Sequence, residues 1–546
     1  MTERERLLDQ VRSLQRAPGA APSRRTLRVV LEFDAAQPPA AVAARLRLAL
    51  GIEVEVAPLL ADPPSRAAPG GLDRFLAASI PGVRVADLAG SPFELAYAMA
   101  DASGAVTAEP ETGAGFYVVR ESAEPGLEGL DAFPPGCWVD QAGDPTPALP
   151  YWALDAIRAR AAWETAPAAG GRARGEGISV FQPDTGVADH VEIEPGMLDL
   201  GRAHDFVADR PGATDPMNYG GNPGHGTGTA SVVASRIAGI MAGSAPLATL
   251  VPLRAVESVV VFDHGRVAAA VEHARRNGAE VITMSLGGPW SSALRAAIDA
   301  AIRDGVIVLA AAGNCVGFVV WPARYEEVIA VAGSNRADRP WKGSCRGEAV
   351  DISAPGEFVP RANRSPANGG SPESVAGGQG TSFAVALTAG VAALWLAHHG
   401  PDAIRRSLGP GETVQSRFVG LLRASARRVP GLDPDEFGAG VVDAAGLLGR
   451  GLGPAALEEM PGPAAVADGL RSLRSLLAES PVAAPMLEGV PAPAAAAADR
   501  RFAAELSHLA MQAGLARQGA AQLEATTGAL APSPTLLAAM AARPGG

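Results

Sequence analysis

Between Tyr151 and Gly449 the chain repeats one pattern: a short, near-continuous apolar run, then a longer stretch with helical spacing. The runs are ISVFQ (178–182), ATLVPLR (248–254), VITMSL (281–286), VIVLAAA (306–312) and VIAVAG (328–333). Runs that are apolar on both sides belong to strands covered on both faces, the condition of a parallel sheet packed between helices. RVAAAVEHARRNG (266–278) and SSALRAAIDAAIRDG (291–305) fall between them and read as helices, each closing on a glycine. The pattern predicts an α/β fold: a three-layer αβα, doubly wound, mainly parallel sheet over 151–449. In such sheets the functional site lies at the carboxyl ends of the strands.

The flanks read differently. LRVVLEF (27–33), PAAVAARLRLAL (39–50), IEVEVAPLL (52–60), VRVADL (83–88), SPFELAYAMADA (91–102) and AVTAEP (105–110) give strand–helix–strand twice over. This predicts a small N-terminal α+β module over 26–112, after a polar, Arg-rich arm at 1–25 that also reads as a short amphipathic helix. A Pro-, Gly- and acid-rich linker covers 113–150. Residues 450–546 form an Ala/Pro-rich helical extension, with helices expected over 467–480 and 500–526. Phe502, Leu506 and Leu509 share a face in the second. A docking or partner helix, a tail packed on its own domain and a disordered extension all fit that spacing.

A formal net charge of −12 argues against a nucleic-acid-binding body, which needs clustered cations. No stretch reaches the about 18 consecutive apolar residues of a membrane span. MTERERLLDQVRSLQRAPGAAPSRR has no apolar core of a secretory signal. The expectation is a cytoplasmic protein without nucleic-acid or membrane partners; export by a route that needs no such signal stays open. The three cysteines, Cys137, Cys315 and Cys345, are too few for a disulfide framework and lack metal-ligand spacing.

Three short blocks carry reactive side chains. QPDTG puts Asp184 just past the first apolar run, where an aspartate ordinarily caps a turn. NPGHGTGTA puts His225 between Gly224 and Gly226 at a helix start. GQGTSFAVA puts Ser382 at the start of an apolar helix, where a serine ordinarily caps an orphan N–H. Each block alone is weak. Together they supply a nucleophile, a base and an orienting carboxylate at ends of elements that converge on one rim of the sheet.

The order Asp…His…Ser, with Asp184-Thr185-Gly186, His225-Gly226-Thr227 and Gly380-Thr381-Ser382-Phe383-Ala384, closely resembles the subtilisin-like serine proteases (the subtilase family). AAAGN (310–314) matches a fourth block, and the resemblance extends over nearly all of 151–449. It implies a serine endopeptidase that cleaves peptide or protein substrates through an acyl-enzyme. Ser382 would attack, His225 take its proton, Asp184 hold the imidazole, and Asn314 donate to the oxyanion. Ser285, Leu286 and Gly287 would pair with substrate backbone, and Ala311, Ala312 and Gly313 would wall the pocket for the residue before the cut bond. Val320, beside Trp321-Pro322, would narrow that pocket.

The resemblance requires no cofactor for the chemistry. Structural calcium is frequent in the family, but no acidic loop here has ligand spacing, so no metal residue is assigned. The module at 26–112 sits where the family carries its prodomain, which implies a self-processing precursor with its own N-terminal module as intramolecular inhibitor. Departures from the family pattern are Gly228 for a second histidine, Ala386 and Leu387 after the serine block, Pro183 before the aspartate, and Cys315 after Asn314. Cys315 and Cys345 are expected as two thiols beside the pocket. A peptide-binding pseudoprotease would have lost one of the four reactive residues, and a sedolisin-type acid peptidase would lack His225 and Asn314.

Overall fold

The computed structural model describes residues 1–16, 26–60, 71–112, 139–146, 148–236, 239–366, 371–453, 492–517 and 532–541. The helix expected over 467–480, Cys137 and residues 113–138 of the linker lie outside the described residues.

The five apolar runs form adjacent strands of one sheet. Its order is Ile352–Pro355, Ile329–Ser334, Ile307–Ala311, Val281–Met284, Ser179–Asp184, Thr249–Arg254, His204–Asp205 and Arg210–Pro211. All pairings are parallel except that of the last two strands. Ser179–Asp184 is the switch point: the chain adds His204–Asp205, Arg210–Pro211 and Thr249–Arg254 on one side, then Val281–Met284 on the other. Loops diverge at such a point and leave a crevice beyond the strand ends.

Helices His264–Arg276 and Ser292–Arg303 cover one face. His225–Ala234 and Thr381–His399 cover the other. Thr381–His399 is apolar enough to cross a membrane, yet every residue of it is buried in the sheet's core. A helix apolar all round belongs in such a core.

The N-terminal residues build a separate four-stranded antiparallel sheet, ordered Glu55–Pro58, Phe75–Ile80, Leu27–Glu32, Thr107–Glu111. One local reading changes here. The strand read into VRVADL is a 3₁₀ turn at Val85–Asp87, because Asp87 folds back to accept from Arg84 N (3.0 Å) and Arg84 Nη2 (2.6 Å). Its place in the sheet is taken by Phe75–Ile80. Of the two readings of residues 1–25, the described residues follow the amphipathic helix: Glu3–Arg16 buries Leu7, Leu8 and Val11.

The module sits against the helices that cover the eight-stranded sheet through its last strand. Glu109 accepts from Ser292 N (2.8 Å) and Oγ (2.7 Å), and Glu111 accepts from Gly265 N (3.0 Å). Two carboxyl groups thus meet the N-termini of the two helices on that face, where unpaired N–H groups and the helix dipole favour them.

The long C-terminal helix, Ala492–Arg517, closes this seam, and its Phe502, Leu506 and Leu509 join one continuous core with both neighbours. His508 packs between Phe93 and Phe262, at centroid distances of 5.5 and 5.3 Å, close to His264. Burial pushes the two imidazoles down, His264 to about 4 and His508 to about 3. Lowered bases contribute stability that is full above their unfolded value of about 6.5 and lost as pH falls toward the folded values. Glu109, pushed up to about 7 by burial, acts oppositely: its contribution is present in acid and lost as pH rises through that value. Glu505, on the helix itself, is also raised by burial and acts as Glu109 does, but the falls at the two imidazoles are together the larger effect, so acid is the loosening direction. Amide protection over residues 502–511 is therefore expected to fall as pH drops from about 6.5 to about 4. Unchanged protection factors, taken against the intrinsic exchange rate at each pH, would contradict this.

Candidate active site

Asp184 ends the switch-point strand and is almost fully buried. Its Oδ1 accepts from Thr185 N (2.7 Å) and faces His225 Nδ1 at 2.8 Å. Thr229 Oγ1 lies 3.2 Å from Oδ2 and accepts from Gln182 Nε2 at 2.5 Å. A carboxylate on Nδ1 makes that nitrogen the donor, which leaves Nε2 free to accept a proton.

His225 opens its helix after Gly224. The glycines of the two blocks allow a close backbone approach. A Cβ on Gly226 would overlap the carbonyl oxygen of Gly186, and one on Gly186 (φ +94°) would come within 2.6 Å of Ala213 O. The turn after the strand and the helix start can touch because Gly226 carries no side chain there, while the bare Gly186 lets residues 213–215 close on the same turn.

Asp215 was not singled out by the sequence, since ATDPMNYG carries no recognisable pattern. It is buried and ties the two blocks together, accepting from Thr185 Oγ1 (3.0 Å), Gly224 N (2.8 Å), Met217 N (2.9 Å) and Tyr219 Oη (3.1 Å). Thr185 Oγ1 in turn accepts from Gly226 N at 3.0 Å.

Ser382 lies in the first turn of Thr381–His399, after Gly380 at φ +147°. Its Oγ donates to Ser285 O (3.3 Å), and Ser285 Oγ donates to Ser382 O (2.9 Å). Among the described residues no hydrogen bond joins Ser382 to His225; in resting enzymes such contacts are often loose and tighten when substrate binds. Asn314 Oδ1 accepts from Thr381 N (2.9 Å) and Thr381 Oγ1 (2.8 Å). That fixes the amide flip. A Cβ on Gly380 would lie 3.4 Å from Asn314 Nδ2 and 3.7 Å from Ser382 N, so the bare glycine leaves a small space facing both donors.

The expected substrate edge is not open. Gly287 N donates to Val259 O, and Gly287 O accepts from Val261 N, both at 2.9 Å. Gly288 exchanges bonds with Trp321. Leu286 is buried, and Ser285 is engaged with Ser382. On the other wall, Ala311 closes its strand, Ala312 O accepts from Val320 N (3.0 Å), and Gly313 N donates to Thr381 Oγ1 (3.1 Å). Val320 stands between the walls: a Cβ on Gly287 would overlap its Cγ2, and one on Gly313 would come within 2.8 Å of it. Among the described residues no group of three or more His, Cys, Asp or Glu converges as a metal set.

Chemistry of this kind at the carboxyl edge of a doubly wound sheet belongs to the serine hydrolases. Comparison with known proteins narrows the class. The profile of the subtilase family matches residues 175–438. Thermitase from Thermoactinomyces vulgaris is 34% identical over 266 residues, covering 47% of this chain and 88% of thermitase. An extracellular protease of Xanthomonas campestris pv. campestris is 30% identical over 336 residues, 54% of each chain. Subtilisin E of Bacillus subtilis is 34% identical over 196 residues, with 49% of its length covered. The chain thus spans about half the length of the last two. Fervidolysin from Fervidobacterium pennivorans shares the fold, with a TM-score of 0.53 at 22% identity over 78% of this chain and 61% of fervidolysin. The chain belongs to the subtilase family of serine endopeptidases.

Two expectations are corrected. The relative from Xanthomonas campestris is by name an extracellular protease, which points away from a cytoplasmic location. Cys315 is disulfide-bonded rather than a thiol, a state that a reducing cytoplasm does not sustain. Cys345 alone is a free, buried thiol among the described residues, and burial pushes it up to about 11.

Proposed function

We propose that the protein hydrolyses peptide bonds with Ser382 as nucleophile, His225 as general base, Asp184 as the group that orients the imidazole, and Asn314 as oxyanion donor. The observation that carries this reading is the buried Asp184–His225 contact at 2.8 Å, on the rim where Asn314 is pinned against the Ser382 helix. Ser382 Oγ attacks the scissile carbonyl carbon while His225 Nε2 takes its proton. The oxyanion forms in the space above Gly380, facing Asn314 Nδ2 and Ser382 N. His225 then protonates the leaving amine, and water resolves the acyl-enzyme by the same steps in reverse roles.

The test is covalent. A fluorophosphonate should add one adduct to the wild type, by intact mass, and none to Ser382→Ala. Equal labelling of both would remove Ser382 from the role.

Substrate is read as an extended peptide or protein segment along Ser285, Leu286 and Gly287, taking over the backbone bonds that Gly287 makes to Val259 and Val261 as those two segments part. Val320 fills the space between Gly287 and Gly313, so the residue before the cut bond should be small. Val320→Gly is expected to raise kcat/KM for substrates with Phe or Leu at that place by roughly tenfold to a hundredfold over the wild type. A peptide panel with an unchanged preference would exclude Val320 as the determinant.

The N-terminal module is read as an intramolecular inhibitor in a self-processing precursor. The support is its docking: Glu109 and Glu111 occupy two helix N-termini beside the cleft, and the chain resumes with Val139 bonded to Gln379, three residues before Ser382.

A further inference from the structure

The C-terminal helix Ala492–Arg517 lies in a seam that neither of its neighbours makes alone. Toward the N-terminal module, Arg500 Nη2 reaches Glu32 at 2.6 Å, Phe502 meets Tyr97 edge-on at 5.1 Å, and Glu505 accepts from Tyr97 Oη at 2.8 Å. Toward the catalytic domain, Ser507 Oγ accepts from Trp290 N at 2.8 Å and His508 lies on Phe262. A Cβ on Gly514 would come within 2.7 Å of Val316 O, in the loop that follows Asn314 and Cys315 and leads to Val320.

The second segment completes the grip. Ser533 N and Oγ donate to Glu505 (2.6 and 2.9 Å), and Thr535 N and Oγ1 donate to Glu94 (3.0 and 2.8 Å). Arg4 Nε also binds Glu94, and its Nη2 donates to Thr535 Oγ1. Glu505, Ser507, His508 and Ser533 are all nearly inaccessible to water. Buried polar groups on this scale fix one arrangement, because losing a partner leaves a desolvated group unpaired. Nonspecific tail packing would show apolar contact without matched partners on both sides.

We propose that residues 492–517 and 532–541 act as a clasp that holds the N-terminal module on the catalytic domain, so that the module stays seated after the linker is cut. Withdrawal of the clasp, rather than cleavage alone, then frees the cleft. The coupling is reciprocal: the helix needs both walls of the seam, so whatever loosens it also loosens the module. The effect on activity rests on the inhibitory reading of the module above; the holding role does not.

The test uses the full chain with a specific protease site placed within residues 113–138, cut after purification. Module retention is read by gel filtration and activity by a peptide substrate, in the parent and in two full-length variants, Leu509→Glu and Glu505→Ala. The parent should keep its module and stay weakly active. Either variant should shed the module and gain at least about tenfold activity, the change expected when a buried charge-assisted contact is lost. If one variant fails to fold, the other decides. Retention and activity equal to the parent in a folded variant would overturn the clasp. Loss of the module from the variants, with a parent already as active as they are, would uphold the clasp and sink the inhibitory reading.

Discussion

Ser382→Ala should lower turnover by about 10⁶-fold, the size seen when the nucleophile of a serine protease of this family is removed. The side chain sits in the first turn of a fully buried helix, so alanine fits without strain and the fold should survive. The hydroxyl's partner, Ser285 O, loses only one 3.3 Å contact. What remains should be the slow background from the oxyanion space and substrate binding. The measurement is single-turnover hydrolysis of a peptide ester, with thermal unfolding run in parallel. A folded alanine variant within about tenfold of the wild type would mean that another group attacks.

Asn314→Ala should cost about 10²–10³ in kcat with KM little changed, because the amide acts on charge that exists only in the transition state. The structure adds a second handle. Thr381 holds the amide oxygen through both its N–H and its hydroxyl, so Nδ2 is presented to the oxyanion space before substrate arrives. Thr381→Val removes one of these two restraints and should cost less than Asn314→Ala while moving the same parameter. Steady-state kinetics on both variants separate the effects. A rise in KM at constant kcat in Asn314→Ala would place the amide in ground-state binding instead.

Much of the fold was legible because the central strands are buried on both faces. Ile307–Ala311 and Val281–Met284 can be read only one way once their length and flanking helices are seen. In the module, Phe75–Ile80 was missed because it follows a Pro/Ala/Gly stretch and includes small residues. Arg84 and Asp87 drew VRVADL into a turn through an ion pair that periodicity does not register. The reactive residues stood out because each sits in a short local block. What holds them did not. Asp215 acts across a loop on Thr185 and Gly224, and the partners that close Gly287 lie on Val259 and Val261. The Cys315 bond is equally non-local, since neither of its neighbours, Asn314 and Val316, hints at a cross-link.

The contact between Gly186 and Gly226 has a consequence for how such a protein can change. The Asp184 carboxylate and the His225 imidazole are brought together by stretches of bare backbone, so the positions least tolerant of mutation include two that carry no functional group at all. Variation in selectivity has room at Val320, where only a side chain is at stake. An added atom at Gly226 pushes the helix start from the turn after the strand, one at Gly186 pushes residues 213–215 off that turn, and either way the lineage loses its chemistry without touching a reactive residue.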